Sequence, residues 1–156
     1  MHDYSITFAC YNSVEYTKQC VSSLVEAKTP MDRVVVVDNG SHDGTRDYLA
    51  DQSFGKVILN KANLGCGVAW NQGALEQQSD WTIVMNNDVL VTAQWAERLI
   101  DAAIKLLKKP ASTSKVLSEI ISPQLIPSFT PRPRKLSITS DLIAATKLMV
   151  VWTNRI

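Results

Sequence analysis

A carboxylate follows an apolar run in the middle of the chain, where it has no packing role. Residues 81–85 are followed by Asn86, Asn87 and Asp88. A divalent cation bound to a diphosphate needs only one or two protein carboxylates, because phosphate oxygens and water complete its shell. The tripeptide also fits a plain turn with a helix cap. Its position relative to the other polar strings favours the metal, and we assign Asp88 as the metal ligand.

A second carboxylate ends a run of four valines. Residues 34–37 lead into Asp38 and the string NGSHDGT. An acidic side chain at a strand end can accept hydrogen bonds from a ribose hydroxyl or a base N–H, which is one interpretation of Asp38. The alternative is a carboxylate that caps the loop, and Asp43 and Thr45 also fit as caps of the next helix.

A third string, NLGCG at residues 63–67, places two glycines at the start of a predicted helix. The N-terminal N–H groups of such a helix can face an anion. The string is not a dinucleotide-binding fingerprint, because Trp70 stands where the third glycine is needed and the string follows the third strand rather than the first. Asn71, about two turns further on, either pins the loop by a hydrogen bond or faces solvent.

The elements that must position these strings alternate between strands and helices. Hydrophobic periodicity predicts strands at residues 4–9, 33–37, 56–59 and 81–85, and helices at about 14–27, 45–50, 65–77 and 93–107. Asn12 and Ser13 are candidate caps of the first helix. This alternation predicts a mostly parallel α/β sheet with helices on both faces. In such sheets ligands bind beyond the carboxyl ends of the strands, which is where the polar strings lie.

Composition divides the chain in two. Residues 1–107 hold 8 Lys/Arg and 13 Asp/Glu, whereas residues 108–156 hold 8 and 2. The second segment is rich in Pro, Ser and Thr, and its prolines disfavour a helix or a central strand around residues 123–133. A strand at 115–121 and a helix or strand at 138–152 are its candidate elements. We therefore treat 1–107 as one α/β region and 108–156 as a basic, atypical segment.

Several classes of protein are disfavoured. No apolar run approaches the ~20 residues that span a bilayer, and the N-terminus lacks a secretory pattern, so a cytoplasmic location is expected. Cys10, Cys20 and Cys66 have no C-x-x-C spacing, and we interpret them as reduced and mostly packing residues. His2 and His42 are isolated and are expected at the surface. The basic segment lacks interleaved aromatic residues, which disfavours nucleic-acid binding.

The chain resembles the family 2 glycosyltransferases in four strings that occur in the same order. They are ACYNSVEY, VVVVDNGSHDGT, NKANLGCGVAWNQG and IVMNNDV. That family includes rhamnosyl- and other sugar transferases of bacterial surface polysaccharides. The likeness covers about residues 4–107, and the ordered set is specific although each string alone is weak. It implies the Rossmann-like GT-A fold, of which this chain carries the nucleotide-sugar-binding half only.

The resemblance also implies a role for each matching position. It implies that the side chains beside the nucleotide base are those of Tyr11, Asn12 and Glu15. It implies that Asp38 contacts the base or the ribose. It also implies that this loop is shaped by Asn39, Ser41 and Asp43. The family has an N-x-G-x-G-x-x-x-N segment near the donor, and the matching residues here are Asn63, Gly65, Gly67 and Asn71. The family's D-x-D element is matched by Asn86, Asn87 and Asp88. The resemblance implies that Asp88, the last of the three, binds Mn or Mg together with the donor diphosphate.

The implied reaction is transfer of a sugar from a UDP- or dTDP-sugar to a glycan or lipid-linked acceptor, with inversion. The metal would offset charge on the leaving diphosphate, and a carboxylate would act as base. This chain departs from the family at Ala9-Cys10, which replaces a Pro-Thr-like pair, and at Asn86, which replaces the first Asp of D-x-D. After residue 107 it has only Glu119 and Asp141 and no acidic pair, so the catalytic residues stay unassigned.

The change near residue 108 has two interpretations. A gene truncated or frameshifted there would leave a catalytically incomplete fragment that binds a nucleotide sugar without transferring it. A divergent short member would be an active enzyme whose basic tail docks on a partner or on the inner face of the membrane. A nicotinamide-dependent oxidoreductase is disfavoured, because the first strand-to-helix turn, CYNS, contains no glycine to admit a pyrophosphate.

Overall fold

Strands and helices alternate along the first two thirds of the chain, as its periodicity predicts. The computed structural model describes residues 2–107, 135–137 and 149–153. The strands are β1 (Tyr4–Cys10), β2 (Val34–Asp38), β3 (Lys56–Leu59), β4 (Trp81–Asn86), β5 (Lys135–Ser137) and β6 (Met149–Thr153). The helices are α1 (Val14–Glu26), α2 (Thr45–Ala50), α3 (Cys66–Glu76) and α4 (Trp95–Leu107), with a 3₁₀ turn at Met31–Arg33.

The described strands form one sheet in the order β3-β2-β1-β4-β6-β5. The first four run parallel, β6 is antiparallel to β4, and β5 is antiparallel to β6. Asp38 pairs with Cys10, and Asn86 pairs with Ala9, so both lie at the carboxyl edge on either side of β1. Because neighbouring strands are about 4.8 Å apart, the two ends are separated by roughly 10 Å.

The two faces of the sheet are packed differently. Alternate residues of β1, including Ile6 and Phe8, point into an apolar core shared with α1, α2 and α4. On the opposite face α3 lies so close to β1 that a side chain at Gly73 would collide with Thr7. Burying a side chain such as Phe8 contributes about 1.5–3 kcal/mol, so the first face supplies most of the apolar stabilisation. This arrangement confirms a parallel sheet with helices on both faces.

Element boundaries differ from the predictions by one or two residues. Strands β1, β2 and β4 each extend one residue further than expected, because their final polar residues still pair across the sheet. The strand expected from residue 33 begins at Val34, since the 3₁₀ turn ends at Arg33. Helix α4 begins at Trp95 rather than residue 93, after Gln94 in a left-handed conformation with φ 60°.

The basic segment contributes β5 and β6 to the sheet. Residues 149–153 form a strand within the range predicted as helix or strand. The predicted strand at 115–121 and the proline-rich stretch lie outside the described residues. The division of the chain at residue 107 stays a prediction. In the part of the chain that the structure describes, none of the helices is both long enough and apolar enough to cross a bilayer.

Candidate functional site

Asp38, at the carboxyl end of β2, is fully buried, with 0% of its side chain exposed. Its carboxylate accepts hydrogen bonds from the Ser41 N–H, 3.2 and 3.3 Å from the two oxygens, and from Arg46 Nε at 2.6 Å. Arg46 also donates through Nη2 to the backbone carbonyl of Asn60. A carboxylate removed from water needs such partners, because an uncompensated buried charge is strongly destabilising. The Asp38 side chain therefore organises its own loop, and its contact with a ligand stays a prediction.

Asn39 is the centre of a second network and is only 3% exposed. Its Oδ1 accepts hydrogen bonds from Asn60 Nδ2 at 3.0 Å and from the Leu64 N–H at 3.1 Å. Its Nδ2 donates to Asn63 Oδ1 at 2.9 Å and to the Gly65 carbonyl at 3.3 Å. One amide thus joins the loops that follow β2 and β3, and it gives Asn39 the loop-shaping position that the resemblance implies.

The loops after β1 and β2 are joined by reciprocal bonds. The Asn12 N–H donates to Ser41 Oγ at 2.8 Å, and the His42 N–H donates to Asn12 Oδ1 at 2.8 Å. The Val14 N–H at the start of α1 donates to Asp43 Oδ2 at 2.9 Å. The structure therefore brings together Asn12, Ser41 and Asp43, three residues singled out from two separate motifs.

Asp43 caps two helices at once. Besides the Val14 N–H, it accepts bonds from the Thr45 hydroxyl at 2.5 Å and the Thr45 N–H at 3.2 Å. These bonds, chiefly the one from the Thr45 hydroxyl, lower the pKa of the Asp43 carboxyl below its ordinary value. Ser13 occupies the N-cap position of α1 but its side chain makes no cap bond, and Asn12 bonds to His42 instead, so the side-chain caps expected there are wrong. The reason is the left-handed backbone of Ser13 (φ 58°), since capping side chains work from extended geometry.

The end of β4 forms the third part of the edge. Asn86 is the last residue of the strand, and Asn87 and Asp88 form the turn that follows it. The side chains of these three residues are half-buried. Asn87 Nδ2 donates to Thr17 Oγ1 on α1 at 3.0 Å. No cluster of three His, Cys, Asp or Glu side chains able to hold a metal occurs among the described residues. One carboxylate with neighbouring amide oxygens suits a hard cation whose other ligands are phosphate and water, so Asp88 fits the predicted role.

The start of α3 completes the edge. Gly65 precedes the helix with φ 84° and its N–H donates to Asn63 Oδ1 at 2.9 Å. Asn63 and Gly65 are exposed and Gly67 is half-buried, so the first N–H groups of the helix lie near solvent. Asn71 is half-buried. The side chain of α3 that bonds to the loop after β3 is that of its neighbour Gln72. Gln72 exchanges two bonds with the Asn60 side chain, at 2.8 and 3.1 Å.

Two further predicted donor residues lie on the first loop and on α1. Tyr11 is 47% exposed and offers an aromatic ring at the edge. Glu15 is exposed and forms an ion pair of 2.7 Å with Lys18, which contributes little in water. Sequence reasoning missed Arg46, Asn60 and Gln72. Asn60 and Gln72 both stand within the string NKANLGCGVAWNQG already noted, but nothing in its local sequence marks Arg46.

The loops of the edge are joined through other side chains than those of the cysteines and histidines, although the His42 N–H donates to Asn12 Oδ1. Burial, with the carboxylates of Asp38 and Asp43 adding to it, raises the pKa of the Cys10 thiol to about 12, which makes it a packing group. Cys20 is buried too, whereas Cys66 is exposed and is not a packing residue. His42 is exposed as expected. His2 is half-buried, and its Nε2 lies 2.9 Å from Asp101 Oδ1.

The residues that form the parallel part of the sheet match a known protein family. The family model described as Glycosyl transferase family 2 matches residues 5–109. An uncharacterized glycosyltransferase of Rickettsia conorii is 28% identical over 107 residues, covering 67% of this chain and 18% of that protein. The poly-beta-1,6-N-acetyl-D-glucosamine synthase of Staphylococcus epidermidis is 24% identical over 91 residues, covering 56% and 22%. The chain thus spans about a fifth of the length of these relatives.

Solved structures share the fold. The mannosyltransferase PcManGT from Pyrobaculum calidifontis, in complex with GDP-Man and Mn²⁺, aligns with a TM-score of 0.55 and 21% identity, covering 71% of this chain and 34% of that one. S. aureus TarS 1-349 in complex with UDP-GlcNAc aligns with a TM-score of 0.52 and 20% identity, covering 67% and 32%. The described architecture is therefore that of GT-A glycosyltransferases. With the family match over more than half of its residues, the chain belongs to glycosyl transferase family 2.

Proposed function

We propose that this chain acts as a glycosyltransferase that transfers a sugar from a UDP- or dTDP-sugar to an acceptor, with inversion, in cell-surface polysaccharide synthesis. The observation that carries the proposal is the convergence of three segments at one edge of the sheet. They are the network around Asp38 and Asn39, the start of α3, and Asp88 after β4. All three lie within the family match, and the edge is the one at which parallel sheets bind ligands.

The spacing along the edge suits a nucleoside diphosphate. We place the base and ribose beside Tyr11 and the loop after β2, and the diphosphate between the start of α3 and Asp88. The roughly 10 Å between the ends of β2 and β4 allows one extended ligand to reach both. The N–H groups at the start of α3 favour an anion.

Asp88 is the proposed ligand of Mn or Mg, with the Asn86 and Asn87 amides beside it. When bound, the cation would offset negative charge on the leaving diphosphate. The presence of Mn²⁺ with GDP-Man in one solved relative, and of UDP-GlcNAc in another, supports a cation and a nucleotide sugar of this kind. The choice of UDP or dTDP rests on the family resemblance.

The acceptor is proposed to be a glycan or a lipid-linked sugar. The Staphylococcus epidermidis relative, named as a polysaccharide synthase, supports a place in polysaccharide synthesis. We place the reaction at the cytoplasmic face of the membrane, since the excess of 8 Lys/Arg over 2 Asp/Glu in residues 108–156 favours an anionic surface.

A second candidate function is donor binding without transfer. The observation that favours it is the shortage of carboxylates in residues 108–156, which contain Glu119 and Asp141 and no acidic pair. Both functions predict the same donor site. They differ only in whether the bound sugar is transferred.

Thermal unfolding with Mn and UDP or dTDP tests the donor site. A ligand that binds only the folded state adds about 2.7 kcal/mol of stability at 100 times its dissociation constant. We expect a rise in midpoint that requires both metal and nucleotide and that is lost in Asp88→Ala. Asp80→Ala is the matched control, because Asp80 is also half-buried and lies just before the amino end of β4.

The outcomes separate the candidates. No shift of a cooperatively folded wild-type sample with either nucleotide contradicts the donor site. A shift that survives in Asp88→Ala contradicts its metal role. Where binding is present, release of UDP from a UDP-sugar upon addition of membrane acceptors identifies a transferase, and binding without release identifies a donor-binding chain.

A further inference from the structure

Arg46 joins two loops of the proposed donor edge with one guanidinium group. Arg46 lies in α2 and its side chain is 39% exposed. Through Nε it binds Asp38 Oδ2 at 2.6 Å, and through Nη2 it binds the Asn60 carbonyl. These acceptors follow β2 and β3 respectively, so the fork of the guanidinium connects the ends of two neighbouring strands.

The two acceptors belong to the networks that reach the donor positions. On one side Asp38 orients the Ser41 N–H, and Ser41 Oγ receives the Asn12 N–H of the loop after β1. On the other side the Asn60 side chain bonds to Asn39 and to Gln72 of α3. A change at Arg46 is therefore transmitted both to the loop after β1 and to the start of α3.

We infer that Arg46 is a positioning residue for the nucleotide, acting through Asp38 and the Asn60 carbonyl. The inference rests on the proposed donor site. Arg46 neutralises a carboxylate that has no access to water, and its planar fork sets the distance between the two loops. Lysine supplies the charge but not the fork, so it can compensate Asp38 without holding Asn60 in register.

The test compares a variant that keeps the positive charge but loses the planar guanidinium with a variant that loses both. UDP affinity in the presence of Mn is measured by titration calorimetry on the full chain and on Arg46→Lys and Arg46→Ala. Because lysine keeps the charge beside Asp38 but lacks the fork that reaches the Asn60 carbonyl, we expect Arg46→Lys to weaken UDP binding roughly tenfold and to lower the unfolding midpoint less than Arg46→Ala does. Arg46→Ala should lose both affinity and stability.

Arg33 provides the matched control. It is 33% exposed and also bonds to backbone carbonyls, those of His2 and Tyr4, but it lies at the amino end of the sheet. Arg33→Lys and Arg33→Ala should leave UDP affinity unchanged. If Arg46→Lys binds UDP within twofold of the wild type, the positioning role is overturned.

A double variant tests whether Arg46 acts through Asp38. If it does, Asp38→Asn with Arg46→Ala should lose less UDP affinity than the two single variants added together, because only the bond to the Asn60 carbonyl is left for Arg46→Ala to remove. Independent, additive losses would contradict the inference.

Amide hydrogen exchange keeps the test independent of the proposed function. In Arg46→Lys the Leu64 N–H should exchange faster than in the wild type, in Arg46→Ala both the Ser41 and the Leu64 N–H should, and those of β1 should not change in either variant. Unchanged exchange at Ser41 and Leu64 overturns the positioning role whatever the wild type binds. Faster exchange in a protein whose wild type binds neither UDP nor dTDP supports the loop-holding role and contradicts the proposed function.

Discussion

Two loops at the same edge of the sheet are built in different ways. In the β2 loop, residues 39–44, the polar side chains bond to one another and to neighbouring loops, and Asn39 and Ser41 are buried. In the β4 turn, residues 86–88, the side chains are half-buried, and Asn87 is bonded to Thr17 of α1. The first loop is therefore held by many bonds among its own side chains, whereas the carboxylate of the second belongs to a half-buried residue.

This difference assigns different work to two aspartates of similar sequence context. Both Asp38 and Asp88 follow an apolar strand, but only Asp38 is sealed from solvent, with an arginine as its counter-charge. A sealed carboxylate shapes the protein, and a half-buried one can exchange water for a cation. Variants of the β2 loop should therefore damage folding, and variants of the β4 turn should damage ligand binding.

The largest effect is expected at Gly40 of the β2 loop. Its φ is 88°, and a Cβ there would lie 2.7 Å from the Ala62 carbonyl carbon and 2.8 Å from Ala62 Cα. Gly40→Ala combines a left-handed backbone with a collision against another backbone, and we expect it to lower the free energy of unfolding by about 3 kcal/mol or more. Urea denaturation measures this loss.

Gly44 is the control for Gly40. Its φ is 87°, but a Cβ there would meet nothing within 4 Å. Gly44→Ala should cost about 1–2 kcal/mol, the backbone contribution alone. Equal losses in the two variants would show that the close approach of residue 62 does not constrain the loop.

An intermediate effect is expected when matched asparagines of the two loops are compared. Asn39→Ala removes a buried amide that bonds to four groups, one of them the buried Asn60 side chain, for an expected loss of about 2–3 kcal/mol. Asn87→Ala removes the bond to Thr17 and should cost about 1 kcal/mol. Thermal unfolding of both variants measures the difference, and a larger loss in Asn87→Ala would reverse the comparison.

The smallest effect is expected from the charge of Asp43. Its pKa is lowered in the folded state, so its contribution to stability is present above its ordinary value of 3.8 and is lost as the pH falls through the lowered pKa. The side chain is exposed, which keeps the effect small. Wild type and Asp43→Asn should therefore differ in midpoint at pH 7, and the difference should shrink as the pH falls below 3.8 and through the lowered pKa. A difference that is constant over this range would contradict the capping role.

The sequence predicted the frame of the fold because burial leaves a strong pattern in local composition. Four valines before Asp38 and the apolar run before Asn86 located β2 and β4, and Lys56–Leu59 was predicted without error. The polar strings at strand ends correctly indicated one shared edge, because parallel strands bring their carboxyl ends together.

The bonding within that edge could not be predicted. Arg46 reaches Asp38 from the next helix, and its second acceptor is a backbone carbonyl, which leaves no trace in residue type. Ser13 has the residue type of a cap, but its left-handed backbone and the carboxylate of Asp43 decide which group meets α1. Such contacts depend on how distant loops approach each other, and no local pattern encodes that distance.

The antiparallel strand beside β4 has a consequence for the order in which the molecule is made. The four parallel strands are complete once Asn86 has been synthesised, but the outer edge of β4 is paired by Met149–Thr153. At synthesis rates of about 5–20 residues per second, that edge stays open for several seconds on the ribosome. During that interval β4 is an apolar strand whose outer edge is unpaired. An exposed strand edge of this kind is prone to pair with other chains.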